Sequence, residues 1–288
     1  MLGLTDLSFQ ETFFSAHDQL RLYTRTWGEP HKGIVLFLHG LGDHQGTARY
    51  LVHALAQRGY LVTGYDARGH GQSPGKRGHV MQFDEYCEDL RLFVQDVRKR
   101  FSPDLPLAVV GYDLGALVAL RTLQQHGSLG LQTFVGLSPL LHPSLSHHLL
   151  QTTLFRLGGR FSPTWRIVWP HDEHALSHDL DIVEALRRDP LCFREITTRG
   201  LRSIQDAAAQ SLLQAHRLSL PSFVLQAGED RVTSALTLQR FAERTPPRIL
   251  RVTVYPGYFH ALHNETPDRR GPVFEDIIHW LDESLLAS

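Results

Sequence analysis

The feature that most constrains this chain is a repeated exchange between two hydrophobic patterns. IVLFLHG (34–40), YLVTGYDARG (60–69), LAVVGYD (107–113), LQTFVGLSP (131–139), PSFVLQAGED (221–230) and RILRVTVYPG (248–257) carry apolar runs. Between them lie amphipathic stretches: Ala48 to Gly59, Phe83 to Phe101, one ending at Gly127, one near Ala235 to Arg244, and a closing one from Val273 to Leu286. A run that is apolar on both sides of its pleat suits a strand buried on both faces, the hallmark of a parallel sheet. Such strands need long crossovers, and the amphipathic stretches supply them as helices. The pattern predicts an α/β fold, a mostly parallel central sheet with helices on both faces and right-handed crossovers. FQETFFSA and QLRLYTRTW alternate polar and apolar residues and predict an antiparallel pair at a sheet edge. A chain of 288 residues suits one large domain, or one domain with an insertion.

The exchange stops between about Leu140 and Gly200. This stretch shows no strand signal and mixes Leu, Phe, Trp, Pro and many His. The expected division is therefore a core of residues 1–139 and 201–288 with a lid insertion of residues 140–200. Such an insertion would sit over the carboxyl ends of the strands, where open α/β sheets bind ligands. Its start is apolar, with Leu140, Leu141, Leu145, Leu149, Leu150, Leu154 and Phe155. Two readings stay open: a helix packed on the core, or an amphipathic cover that touches membrane surfaces.

Composition narrows the partners. Formal net charge is −1 with 29 Lys plus Arg, and no basic face suggests nucleic acid. Two cysteines, Cys87 and Cys192, cannot build a disulfide framework or a cysteine metal site. His171-Asp172-Glu173-His174 lacks the spacing of a zinc helix motif and reads as a solvated turn. No metal and no cofactor are expected. The N-terminus MLGLTDLSFQETFF has no basic start and apolar core, and no apolar run approaches the ~20 residues of a spanning helix. A cytoplasmic protein is expected.

Three segments should meet at the strand ends. Gly111-Tyr112-Asp113-Leu114-Gly115 joins a strand to a helix in the shape of a nucleophile elbow, whose usual pattern is G-x-S-x-G. GEDRV (228–232) and GYFHALH (257–263) each follow a strand. Asp230 would orient His260, and His260 would serve as general base. Each segment alone also reads as an ordinary turn. The order elbow, acid, histidine is that of α/β-hydrolases. His39-Gly40-Leu41-Gly42 follows IVLFL, and backbone N–H groups of Leu41 and Leu114 are the expected oxyanion donors.

These stretches carry a resemblance to the monoacylglycerol lipase and lysophospholipase family of α/β-hydrolases. It rests on LHGLGDHQGTARY, YDARGHGQSPGKRG, VVGYDLGA, LLHPSL, ALSHD, RRDPL, LQAGEDRV and YPGYFHALHNE, which span residues 34 to 266. The resemblance implies Asp230 and His260 as acid and histidine, and Leu41 and Leu114 as oxyanion donors. It implies a small lipid-like substrate, a monoacyl ester, with Gly40, Leu140, Leu141 and Leu145 near it, and membrane contact through the lid. The family's nucleophilic serine falls on Asp113.

An aspartate there changes the chemistry. A carboxylate attacking an ester carbonyl would have to expel an alkoxide far more basic than itself, against a reference carboxyl pKa of ~4. It also offers His260 no proton to remove. Attack on saturated carbon is feasible and gives an alkyl-enzyme ester. Haloalkane dehalogenases and epoxide hydrolases of this fold work so. No Tyr lies between Tyr112 and Tyr255 to protonate an epoxide, and Leu114 stands where such dehalogenases commonly carry Trp. Trp165 and Trp169 could face a halide or simply pack. A third expectation is that Asp113 replaces serine on a lipase scaffold and holds His260 as imidazolium. A lipid-binding protein without turnover would use the same scaffold.

Overall fold

The computed structural model describes residues 8–102, 104–141, 163–168 and 173–286. Among them the strands run β1 Phe9–Ser15, β2 Arg21–Trp27, β3 Gly33–Leu38, β4 Tyr60–Tyr65, β5 Leu107–Tyr112, β6 Thr133–Leu137, β7 Arg166–Val168, β8 Glu195–Thr197, β9 Ser222–Ala227 and β10 Leu250–Tyr255. The helices, numbered in chain order, are α1 Arg49–Gln57, α2 Asp84–Arg100, α3 Leu114–His126, α4 Leu180–Arg188, α5 Thr198–Leu213, α6 Ala235–Arg244 and α7 Pro267–Leu286.

The main sheet has the order β1-β2-β4-β3-β5-β6-β9-β10. β1 pairs with β2 and β2 with β4 antiparallel, and every pairing from β4 to β10 is parallel. The chain has the α/β-hydrolase fold. Successive residues of one strand feed two separate cores. Ile34 and Leu36 pack with residues of α2, α3 and α5, whereas Val35 and Phe37 pack with residues of α1 and α7. That two-sided burial is why β3 and β5 read as apolar from end to end and β4, β6 and β9 as largely apolar.

Two elements differ from the sequence expectation. β7 and β8 form an antiparallel pair in the stretch that shows no strand signal. Three residues are too few to display a period, and β8 is held by tertiary contact: Thr197 donates its N–H to the Gly78 carbonyl at 2.9 Å. The last helix starts at Pro267, ahead of the expected Val273. Proline needs no partner for its missing N–H at a first helical position. Pro272 then lies inside the helix without ending it. Leu145, Leu149, Leu150, Leu154, Phe155, Trp169, His171 and Asp172 fall outside the described residues. No helix among the described residues is long and apolar enough to cross a membrane.

Candidate active site

The turn at Asp113 follows from close packing between β5 and α3. A Cβ on Gly115 would lie 2.3 Å from the Leu38 carbonyl oxygen, so only glycine lets the helix start this near β3. Asp113 itself takes φ 51 and ψ −111, outside the regions where side chains are comfortable. Such strain costs on the order of 1–3 kcal/mol and persists only where the surroundings hold it. Here Asp113 donates its N–H to Leu137 O at 3.0 Å, and its own carbonyl accepts from Leu140 N at 3.1 Å. The result places the Asp113 side chain above the sheet, 5% exposed as a residue.

Asp113, Asp230 and His260 meet there, each from the end of a different parallel strand. His260 Nδ1 lies 2.8 Å from Asp230 Oδ2, and His260 Nε2 lies 3.4 Å from Asp113 Oδ1. The imidazole is buried between two carboxylates. Burial alone would push its pKa down, but the Asp230 charge, the contact with Asp113 and the Asp230 hydrogen bond raise it to about 10. Burial likewise opposes the Asp230 charge, yet the neighbouring His260 and the donors around it bring that carboxyl to about 2. Both carboxylates favour the protonated ring.

The two carboxylates have different surroundings. Asp230 Oδ1 accepts from the backbone N–H groups of Val232 and Thr233, each at 2.8 Å. Its Oδ2 accepts from Gln226 Nε2 at 2.8 Å and from Thr233 Oγ1 at 2.7 Å, besides His260. Asp113 Oδ2 accepts from the Leu41 N–H at 2.8 Å, while the buried Oδ1 makes no regular hydrogen bond among the described residues and has His260 Nε2 3.4 Å away. Gly40 has no room for a side chain, because a Cβ would lie 3.2 Å from Asp113 Oδ2 and 2.8 Å from the Tyr112 ring. Leu114 occupies the first turn of α3, and its N–H makes no bond to the Asp113 carboxylate.

A cavity opens over this group. Leu176, Phe193 and Val232 give it apolar walls, and Asn264 and the ion-paired Arg194 and Glu173 give it polar ones. Leu140 and Leu141, expected beside a substrate, are buried in the core with α2, α3 and α5 instead. Both side chains find apolar contact there, which removes them from the cavity wall. Leu145 lies outside the described residues. Trp165 is exposed and away from the cavity.

His44, Asp189 and Cys192 gather at the cavity edge with their potential metal-binding atoms within 4.8 Å. His44 Nδ1 accepts from Gly46 N at 3.1 Å, so the neutral ring carries its proton on Nε2, 3.0 Å from Asp189 Oδ2. A metal on Nε2 would move that proton to the nitrogen already facing an N–H group. The His44–Asp189 pair therefore works as a hydrogen-bonded tie.

Sequence reasoning missed the Gln226 and Thr233 donors, since neither type stands out beside a strand end. It also missed Glu265. Fully buried, Glu265 accepts from Phe259 N at 2.8 Å and from His178 N at 3.0 Å. Its signal was present in the stretches ALSHD and YPGYFHALHNE.

The chain as a whole resembles known proteins. The family model described as serine aminopeptidase, S33 matches residues 29–267. A monoacylglycerol lipase of Mycolicibacterium smegmatis is 27% identical over 87% of this chain and 88% of its own. An uncharacterized abhydrolase domain-containing protein of Dictyostelium discoideum is 26% identical over 93% of this chain, which spans 28% of that longer protein. The crystal structure of a monoacylglycerol lipase from Paleococcus ferrophilus superposes with a TM-score of 0.81 at 26% identity, covering 90% of this chain and 98% of that one.

Proposed function

We propose, from the premise that this chain belongs to the serine aminopeptidase S33 family of α/β-hydrolases and is a hydrolase of the esterase and lipase type, that its cavity takes a monoacyl lipid ester and that Asp113 keeps the site from turning it over. The relatives named monoacylglycerol lipase support the substrate class. The observation that carries the arrest is the 2.8 Å bond from Leu41 N to Asp113 Oδ2. Ester hydrolysis on such a site needs a hydroxyl nucleophile, a neutral imidazole to take its proton, and backbone N–H groups for the oxyanion. Asp113 works against all three. It has no hydroxyl, its charge helps hold His260 protonated, and its own oxygen takes the Leu41 donor.

With serine at 113 each part returns to use. The hydroxyl donates to His260 Nε2 and attacks the ester carbonyl. Leu41, joined by the amide of Leu114, stabilises the carbonyl oxygen as it gains charge. Asp230 stabilises the imidazolium that forms, and His260 returns the proton to the leaving alcohol. Water then repeats the sequence on the acyl-enzyme. The test compares hydrolysis of a monoacylglycerol and of a p-nitrophenyl ester by the parent chain and by Asp113→Ser. Turnover by the variant alone supports the proposal. Equal turnover by the parent sinks it.

A second reading has its own observation. One Asp113 oxygen is anchored, and the other is buried with only the long 3.4 Å contact to His260, which is a posture suited to attack on saturated carbon. Alkylation would neutralise Asp113, lower the His260 pKa and free the ring to activate water. Release of halide from haloalkanes by the parent chain, lost in Asp113→Asn, would favour this reading over the first.

A further inference from the structure

The segment 173–179 does more than line the cavity with Glu173 and Leu176: its backbone runs against the loop that carries His260. Ala261 donates its N–H to Leu176 O at 2.8 Å, and His260 donates its N–H to Ala175 O at 3.3 Å. Ser177 Oγ donates to Asn264 O at 2.7 Å. At the far end of this contact sits a buried carboxylate, Glu265. Its Oε1 accepts from the N–H of Phe259, the residue before His260, and lies 2.9 Å from His178 Nδ1. Its Oε2 accepts from His178 N at 3.0 Å. The His178 ring also stacks on Phe259, with centroids 3.7 Å apart and planes 17° from parallel.

A buried carboxylate is tolerated only when donors surround it, and charge-assisted bonds of this kind are strong and directional. Glu265 thus fixes both ends of the loop 259–265 to the Ala175–Asp179 segment. The His260 ring depends on that placement, since it must keep Nδ1 on Asp230 and Nε2 toward position 113 at once. We propose that Glu265 and His178 are positioning residues for His260, so that the segment lining the cavity sets the geometry of the proton-carrying group. This rests on His260 having the role assigned above.

The test reads the His260 ring directly, in the parent chain, by nitrogen NMR across pH. His178→Ala removes both the Nδ1 donor and the stack. His178→Asn keeps a donor at the same δ position. The expected result is a His260 midpoint lowered by about one unit or more in His178→Ala, as the ring loses its place between two carboxylates, and restored in His178→Asn. In the Asp113→Ser chain the same substitution should lower kcat about tenfold to a hundredfold with KM nearly unchanged. Glu265→Gln should act in the same direction, because an amide nitrogen cannot accept from the donors Glu265 serves. If His178→Ala stays folded and moves neither the His260 midpoint nor the kcat of the Asp113→Ser chain, the pair is structural only and the proposal is overturned. Should the Asp113→Ser chain fail to turn over esters, the NMR measurement still decides the positioning role, so the two failures are distinct.

Discussion

Two aspartates flank one imidazole, and the protein treats them differently. Asp230 receives five donors: Val232 N, Thr233 N, Thr233 Oγ1, Gln226 Nε2 and His260 Nδ1. Asp113 receives one regular hydrogen bond, from Leu41 N, and among the described residues its other oxygen has only the longer 3.4 Å contact with His260 Nε2. A buried polar atom left without a partner costs about 1–3 kcal/mol, and more when charged. The site is thus built to hold an anion at position 230, where burial would otherwise protonate it. At position 113 it provides for a single oxygen. Under the proposed function, these surroundings fit a hydroxyl at 113 with the Leu41 donor left to a substrate oxygen.

The sharpest way to break that comparison is Asp113→Ser. Removing the nucleophile of a serine hydrolase can cost about a millionfold in kcat. Ester turnover should therefore rise from the uncatalysed background toward that scale, measured with a p-nitrophenyl ester. If the rate stays at background, position 113 is no nucleophile position. Next in size is Asp230→Asn in the Asp113→Ser chain. An amide leaves the imidazolium without its counter-charge and favours the wrong tautomer, so kcat should fall about ten-thousandfold. A fall of less than tenfold would mean that the donors around Asp230 serve folding alone.

Much of this was legible in the sequence, for a physical reason. β3 and β5 are apolar throughout, and β9 from Phe223 to Leu225, because both faces of the sheet are covered, and that pattern points to the topology on which the rest depends. Asp113, Asp230 and His260 could be picked out because each lies in the loop at the carboxyl end of a strand. The posture of the Asp113 carboxylate was not, since a choice between two oxygens leaves no trace in residue types. Nor was the bond between His178 and Glu265, which are 87 positions apart in the chain. Leu140 and Leu141 show the reverse problem. Apolar character marks them for burial, but it does not distinguish a core from a cavity wall.

Stability against pH reads the same comparison at smaller scale. The folded pKa of His260, about 10, lies above the ordinary histidine value. Its extra proton therefore stabilises the fold fully below about pH 6.5, and the contribution is lost as pH rises through about 10. Asp230, lowered to about 2, contributes above its ordinary pKa and loses its contribution only as pH falls toward 2. Denaturant unfolding of the parent chain should show stability declining between pH 7 and pH 10 by on the order of 2 kcal/mol more than in Asp113→Ser. Parallel curves would mean that the Asp113 charge contributes little to holding the proton.

The smallest effect sharpens the other half. Thr233→Ala removes the hydroxyl that donates to Asp230 Oδ2 and leaves the Thr233 backbone donor in place. Gln226 and His260 still bond to that oxygen, so it is not left bare. The expected loss is one net hydrogen bond to a charged group, about 1.5–3 kcal/mol at most, seen in unfolding. In the Asp113→Ser chain kcat should fall no more than about tenfold, because the remaining donors still hold the carboxylate toward Nδ1. A loss as large as that of Asp230→Asn would show that the five donors act as one indivisible set. The redundancy that distinguishes Asp230 from Asp113 would then be only apparent.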